Sequence, residues 1–202
     1  MDYLYRNNYK TISTKEFYKW YIGEIEFYGK TLMITFDDGQ YEDYHLVYPI
    51  IKRYNMKATS FLIGNKINNL TKEYNKFEKN YIGIDVIHKM RKEYPNFEFQ
   101  SHSYNMHLRI NKTAKALLMN YKEIENDFKM NKKFNFSFMA YPYGEFNINI
   151  KYFLNKYNYT AAFSFGHSRC SIRKDEKFSI PRITLHDYAN LNLFKKWLKK
   201  IK

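Results

Sequence analysis

The chain has 202 residues, which is enough for one domain with a sizeable core, with two small domains as the less favoured alternative. Apolar residues make up 45% and aromatic residues 20% of the chain, a composition that excludes intrinsic disorder. The formal net charge is +14, but the lysines are scattered apart from the tail "FKKWLKKIK", and no RRM, zinc-finger or helix-turn-helix signature is present. Nucleic acid is therefore disfavoured as a partner, and an anionic cell-envelope polymer or membrane surface would account for the charge equally well.

Strand and helix patterns alternate along the chain. A capping-box pattern at Ser13 and Glu16 predicts a helix start, and the clearest amphipathic helix is predicted at 112–130. Helical spacing predicts helices at 13–21, 41–54, 82–94, 112–130, 147–157 and 189–201. Compact apolar runs predict strands at 31–36, 57–63, 96–100, 136–141, 159–165 and 178–185. This alternation indicates βαβ units around a mostly parallel sheet, either an open doubly wound sheet or a closed (β/α) barrel.

The sequence carries weak signals of location. No stretch reaches the length of a transmembrane helix, and the first ten residues lack the apolar core of a signal peptide. Taken literally, this predicts a cytoplasmic protein, with an export signal missing from the N-terminus as the alternative. The single cysteine, Cys170, excludes an intramolecular disulfide, and we interpret it as a small structural side chain rather than a nucleophile.

The strongest functional pattern is the set of residues that follow three predicted strands. Asp37 and Asp38 follow the first strand, His102 and His107 follow the third, and the segment 142–144 follows the fourth. In a parallel α/β sheet these loops all open on one face, so we expect the side chains to converge.

Two histidines and one carboxylate form a reasonable ligand set for Zn²⁺ or another divalent metal. A second carboxylate that does not bind the metal could accept a proton from metal-activated water, and a tight "PYG" turn could offer backbone N–H groups to an oxyanion. The alternative is that each feature is only a polar strand end or a turn. We interpret the other histidines in helices and loops, His45, His88 and His167, as structural.

These motifs resemble those of the NodB-homology polysaccharide deacetylases, carbohydrate esterase family 4. "TFDDG" is similar to the first motif of that family, "SHSYNMH" to the second and "AYPYGEFN" to the third. The separation of five positions in "HSYNMH" resembles the subgroup that deacetylates poly-N-acetylglucosamine and related polymers. The resemblance covers about Tyr9 to Leu185. It implies an α/β fold, a distorted or incomplete (β/α) barrel with mostly parallel strands, and one domain over 1–202.

The resemblance also implies roles for individual residues. Asp37 would be the catalytic base, and Asp38, His102 and His107 would hold the metal, usually Zn²⁺ with Co²⁺ or Ni²⁺ sometimes accepted. Tyr143 would offer its backbone N–H to the oxyanion. The substrate-binding residues implied by the third motif are Pro142, Tyr143 and Gly144.

The sequence departs from the family pattern at three places. Many members have an Arg where this chain has Ala140, and Arg182 in "IPRITL" is a candidate catalytic substitute that would orient Asp37. Many members also have a histidine that protonates the leaving amine, and "ITLHDY" offers His186 for this role. Its place directly after "IPRITL" suggests a different part of the domain, so we favour reading His186 as a surface residue after the last strand. The chain also starts after the strand that opens many members, which leaves an open barrel, a truncated sequence or a reduced gene as interpretations.

The function predicted from these residues is hydrolysis of N-acetyl groups on an amino-sugar polymer containing GlcNAc or MurNAc. The alternatives are an O-acetyl esterase of the xylan type on the same site, and a non-catalytic carbohydrate-binding remnant of the fold. The resemblance implies a cell-envelope or extracellular location, while the missing signal peptide leaves the cytoplasm open.

Overall fold

The strands of this protein build one large sheet and two short pairs. The computed structural model describes residues 1–72, 77, 79–166, 172, 175–185 and 189–199. Within these residues the strands are β1 (Lys10–Thr11), β2 (Thr31–Leu32), β3 (Thr35–Asp38), β4 (Ala58–Leu62), β5 (Phe97–Ser101), β6 (Arg109–Ile110), β7 (Thr113–Ala114), β8 (Phe138–Ala140), β9 (Ala161–Gly166) and β10 (Ile180–Ile183). The large sheet has the order β3-β4-β5-β8-β9-β10, and all of its neighbouring strands are parallel. The short pairs are β1 with β2 and β6 with β7.

Helices precede, connect and follow the strands of the sheet. They are α1 (Asp2–Arg6), α2 (Thr14–Tyr21), α3 (Tyr48–Arg53), α4 (Ile84–Glu93), α5 (Lys115–Leu118), α6 (Tyr121–Asn131), α7 (Ile148–Lys156) and α8 (Leu191–Leu198). A π-helical turn spans Asp43–Val47, and 3₁₀ turns span Gly64–Lys66, Lys132–Phe134 and Pro142–Gly144. No helix in the described ranges is long and apolar enough to span a membrane.

The large sheet curls strongly enough for residues on distant strands to meet. The rings of Phe61 in β4 and Phe163 in β9 lie 5.7 Å apart, although β5 and β8 separate these strands in the sheet. At the two sheet edges, the Arg182 side chain of β10 contacts Asp37 of β3 at 2.8 Å. The predicted distorted (β/α) barrel with parallel strands is therefore confirmed, with side chains rather than a strand ladder joining its two edges.

Helix α2 covers the amino ends of the strands. The Ser13 hydroxyl accepts from the Glu16 N–H while the Glu16 carboxylate accepts from the Ser13 N–H, so the predicted capping box is confirmed. Phe17 of this helix packs against Phe163 inside the barrel, with ring centroids 5.6 Å apart. This packing closes the amino end of the barrel and leaves the carboxyl end for the site described below.

Two predicted elements differ from the structure. The strand predicted at 31–36 is divided into β2 and β3, and β3 continues through Asp37 and Asp38. The helix predicted at 112–130 is divided into β7, α5 and α6. The second division occurs because Asn120 and Glu123 form a capping box, which starts a new helix inside the amphipathic pattern.

Candidate active site

The functional candidates converge at the carboxyl ends of the strands. Asp37 and Asp38 end β3, His102 directly follows β5, and Tyr143 lies in the turn after β8. Arg182 reaches the same place from β10. The structure thus brings together the residues that the sequence selected from separate segments.

Asp37 and Arg182 form a paired unit on the interior of the barrel. The guanidinium donates to both Asp37 carboxylate oxygens at 2.8 Å, and one nitrogen also donates to the Thr35 hydroxyl at 3.1 Å. Burial raises the pKa of Asp37, but the opposing charge and hydrogen bonds of Arg182 outweigh it, so the net pKa is lowered. Asp37 is therefore held as an ionised carboxylate in one orientation.

Asp38 points away from its neighbour because the backbone turns sharply. Asp38 has φ +78° and Gly39 has φ +71°, a left-handed conformation that Asp tolerates and glycine prefers. A Cβ added at Gly39 would lie 2.4 Å from the Leu62 side chain, so the turn also needs the absence of a side chain there. As a result, Asp37 contacts Arg182 whereas Asp38 contacts the two histidines.

Asp38, His102 and His107 form a compact cluster of potential metal ligands. The Asp38 Oδ1 atom lies 3.1 Å from His107 Nε2 and 3.6 Å from His102 Nε2, and the three ligand atoms are all within 4.8 Å of one another. His102 Nδ1 lies 2.8 Å from the carbonyl oxygen of Ala140, which requires Nδ1 to carry the proton. In the neutral form of this ring the lone pair is therefore on Nε2, which faces Asp38 and is placed to bind a divalent cation such as Zn²⁺.

His107 is partly buried beside the cluster. Burial and the nearby His102 ring lower the pKa of His107, and the Asp38 charge opposes this shift without reversing it. The neutral form that this favours is the form that binds metals. The Tyr143 ring lies 4.6 Å from the His107 ring and so forms the wall of the site on that side.

The turn after β8 presents backbone to the site in an unusual conformation. Tyr143 has φ +59°, a left-handed value that is rare for an aromatic residue and costs conformational energy. The Gly144 N–H donates to the Tyr141 carbonyl, whereas the Tyr143 N–H has no hydrogen-bond acceptor within the described residues. An amide N–H left open beside a cluster of ionisable groups is suited to bind an anionic oxygen.

Two further residues contact the cluster, a third contacts the Tyr143 ring, and the sequence analysis selected none of them. Gln40 donates to Asp38 Oδ2 at 3.0 Å, and the Lys79 ammonium lies 3.7 Å from the same oxygen. The Arg109 guanidinium lies 4.3 Å from the centre of the Tyr143 ring. Only the position of Gln40, directly after "DDG", could have drawn attention to it. His167, Cys170 and His186 lie outside the described residues.

A curled parallel barrel with this cluster at its carboxyl end defines a hydrolase-type active site. A family model described as polysaccharide deacetylase matches residues 25–162, more than half of the chain. The chain belongs to the polysaccharide deacetylase family, which confirms the predicted enzyme class and the NodB-homology fold.

The chain is also similar to individual relatives and solved structures. It is 29% identical to a poly-beta-1,6-N-acetyl-D-glucosamine N-deacetylase of Staphylococcus aureus strain MRSA252, over 98% of this chain and 68% of the relative. Its fold matches a de-N-acetylase from Aggregatibacter actinomycetemcomitans with a TM-score of 0.75 and 18% identity, over 97% of this chain and 86% of that one. It also matches IcaB from Ammonifex degensii with a TM-score of 0.71 and 16% identity, over 98% and 85% of the two chains. At these identities, the two structural matches establish the fold alone.

Proposed function

We propose that this protein is a metal-dependent N-deacetylase of an N-acetylglucosamine polymer in the cell envelope, with Zn²⁺ as the metal and Asp37 as the base. The observation that carries the proposal is that the two adjacent acids have different partners. Asp37 accepts hydrogen bonds from Arg182, whereas Asp38 lies against His102 and His107. A binding module needs no such division, whereas hydrolysis uses one acid as a ligand and the other as a base. The similarity to a poly-beta-1,6-N-acetyl-D-glucosamine N-deacetylase supports the polymer.

The ligands in this proposal are Asp38, His102 and His107. A divalent metal held there would supply a Lewis acid that polarises the acetamide carbonyl and makes water easier to deprotonate. The fit rests on the neutral His107 and on the His102 tautomer fixed by Ala140. Zn²⁺ suits this nitrogen and oxygen set, and Co²⁺ and Ni²⁺ are the alternatives.

The remaining residues act on the substrate and the water. Asp37, oriented by Arg182, accepts a proton from the water whose oxygen attacks the acetyl carbon. The Tyr143 N–H donates to the carbonyl oxygen as negative charge develops on it, with Pro142 and Gly144 shaping the backbone on either side. The carbon–nitrogen bond then breaks, acetate leaves, and the proton taken from water ends on the sugar amine.

The test measures acetate release by metal-depleted protein reloaded with Zn²⁺, Co²⁺ or Ni²⁺. We expect release from poly-β-1,6-N-acetylglucosamine to require the added metal. Asp37→Asn should lower kcat by about 10³-fold or more while metal affinity changes little, because the base is lost and the ligands remain. His102→Ala should lose both activity and metal, and Glu125→Gln on the surface of α6 is the matched acid-to-amide control.

Each other outcome contradicts a stated part of the proposal. Full activity in Asp37→Asn would exclude the base. Faster release from acetylated xylan than from amino-sugar polymers would favour an O-acetyl esterase. If the wild-type protein binds no metal and hydrolyses none of these polymers, the result would favour a carbohydrate-binding remnant.

A further inference from the structure

The two histidines are joined by a short irregular segment, residues Ser103–Met106, which we call the histidine loop. His102 is anchored directly to the sheet, since its N–H donates to the Leu62 carbonyl at 2.8 Å. His107 lies outside the large sheet, at the far end of a loop that begins with the left-handed Ser103 (φ +66°). The position of His107 relative to His102 therefore depends on what fixes this loop.

One side of the histidine loop is held by the 3₁₀ turn after β4. The Gly64 N–H donates to the Ser103 carbonyl, and the Asn65 N–H donates to the Tyr104 carbonyl, both at 2.9 Å. The approach is close, because a Cβ added at Gly64 would lie 2.8 Å from the Tyr104 ring and 2.7 Å from the Asn131 side chain. These bonds satisfy carbonyl groups of the loop and leave its N–H groups to other partners.

Asp127 on α6 is the acceptor for two of those N–H groups, while the Ser103 and Met106 N–H groups donate to serine hydroxyls. The Oδ1 atom of Asp127 accepts from the Tyr104 N–H at 2.8 Å, and the Oδ2 atom accepts from the Asn105 N–H at 2.6 Å. The side chain is buried on the face of α6 that packs against the core. A buried carboxylate is costly unless it is well paired, and two charge-assisted hydrogen bonds to adjacent amides provide that pairing.

Two adjacent N–H donors need two acceptors, which explains why the residue is an acid. A carboxylate offers one oxygen to each amide, whereas an Asn in the same place would turn its own NH₂ group toward one of them. The ammonium of Lys115 also contacts the loop, donating to the Asn105 carbonyl at 3.0 Å. Hydrogen bonds from the 3₁₀ turn after β4 and from α6 therefore hold the loop on both sides.

We propose that Asp127 is a positioning residue that fixes the histidine loop so that His107 meets Asp38 and His102 at the metal site. This inference rests on the proposed metal-binding function. Asp127 has no hydrogen bond or ion pair with Asp38, His102 or His107, and its effect passes through the loop backbone. A purely structural tie would lower the stability of the fold without changing the metal affinity of the folded protein.

The experiment compares Asp127→Asn with wild type in the full chain. The dissociation constant for Zn²⁺ is measured by competition with a chelator, and the ligand geometry is measured from the visible absorption of the Co²⁺ protein. We expect the dissociation constant to rise by about 10-fold or more, as when other outer contacts of metal ligands are removed. The Co²⁺ spectrum should change as well. Glu125→Gln, two residues away on α6 and paired with Lys129 and Lys156 rather than with the histidine loop, should leave both values at the wild-type level.

A folded Asp127→Asn protein with the wild-type dissociation constant and Co²⁺ spectrum would overturn the positioning role alone. Wild-type protein that binds no divalent metal would overturn the positioning role and the proposed function together. If Asp127→Asn does not fold, hydrogen exchange in the metal-free wild type decides the question. The amides of Tyr104 and Asn105 should be as protected as those of β5, and exchange at the rate of an open loop would overturn the proposal.

Discussion

The barrel has two ends that each place an acid on its interior face, and the surroundings of the two acids differ. At the carboxyl end, Asp37 is paired with Arg182 beside the histidine cluster. At the amino end, the Glu98 carboxylate accepts from the Thr14 N–H at 3.0 Å and from the Thr14 hydroxyl at 2.8 Å. Thr14 is the first residue of α2, so Glu98 sits at a helix N-terminus, where negative charge is favoured.

This difference shows that the role of an acid depends on whether other elements enclose it or leave it open to solvent. The partners that Glu98 has in the described part of the chain all belong to the closed end, including the Thr59 hydroxyl at 3.3 Å, so these bonds stabilise the closure formed by α2. Asp37 is paired with Arg182 and faces the open end, where substrate and water would reach it in the proposed reaction. In parallel barrels the carboxyl ends of strands carry catalysis and the amino ends carry stability. Substitutions at four positions test this division.

The largest expected effect is on activity, from Arg182→Ala. Asp37 would lose both hydrogen bonds that orient it, and misplacement of a catalytic group by about 1 Å costs on the order of 100-fold in rate. We expect kcat/KM to fall by about that factor or more while Zn²⁺ binding is retained, because Arg182 contacts none of the three ligands. Arg182→Lys should rescue only part of the rate, since an ammonium cannot form the bidentate pair. A kcat/KM of Arg182→Ala near the wild-type value would show that the reaction does not need Arg182 to orient Asp37.

The next effect is on the pH dependence of stability, from Asp43→Asn. Asp43 lies behind the carboxyl end, where its Oδ2 atom accepts from the Ser60 hydroxyl at 2.5 Å. Burial, joined by the charges of Asp37 and Asp38, raises the pKa of Asp43 from 3.8 to about 7. The folded state therefore retains a proton that the unfolded chain has lost, so this contribution to stability is complete below pH 4 and disappears as the pH rises through about 7.

The measurement for Asp43 is the urea midpoint of wild type and Asp43→Asn between pH 4 and pH 8. Asn keeps an acceptor for Ser60 and has no charge to bury, so its midpoint should fall less across this range. The two proteins should differ most at pH 8, with Asp43→Asn the more stable. Parallel pH profiles for the two proteins would show that Asp43 is ionised without penalty in the folded state.

A smaller effect, on stability alone, is expected from Glu98→Ala at the closed end. Three donors would lose their acceptor, and leaving such groups unsatisfied costs about 1–3 kcal/mol. Glu98→Gln keeps one acceptor oxygen and should lose less. Both variants should have the kcat/KM of wild type when folded, measured below their unfolding transitions. A large drop in kcat/KM of the folded Glu98→Gln protein would break the division between the two ends.

The sequence predicted the features that depend on local pattern. The capping box at Ser13 and the chemistry at three strand ends are visible because neighbouring residues create them. The division at Asn120 was equally local, yet its capping box was hidden inside a longer amphipathic pattern. The pairing of Asp37 with Arg182 joins residues 145 positions apart, and only the curl of the sheet brings them together.

The sequence pattern could not predict the roles of the two acids that support the structure. Asp127 and Glu98 interrupt apolar faces, and such residues have no interpretation until their partners are known. The partners of Asp127 lie 22 and 23 positions away, and Thr14 lies 84 positions from Glu98. The sequence therefore indicated the residues that we propose to perform the chemistry, and it did not indicate the residues that hold them in place.

The smallest effect is expected from Arg109→Ala at the rim of the open end. Arg109 stacks on the Tyr143 ring at 4.3 Å and pairs with Glu145 at 2.6 Å, so it braces the turn whose N–H is proposed to bind the oxyanion. Exposed cation–π contacts contribute about 0.5–1 kcal/mol, which corresponds to about a 2–5-fold fall in kcat. Steady-state kinetics and a thermal melt of the same samples separate the two roles. A fall in kcat with an unchanged melting temperature places Arg109 with the open end, and a lower melting temperature with unchanged kcat makes it a surface brace only.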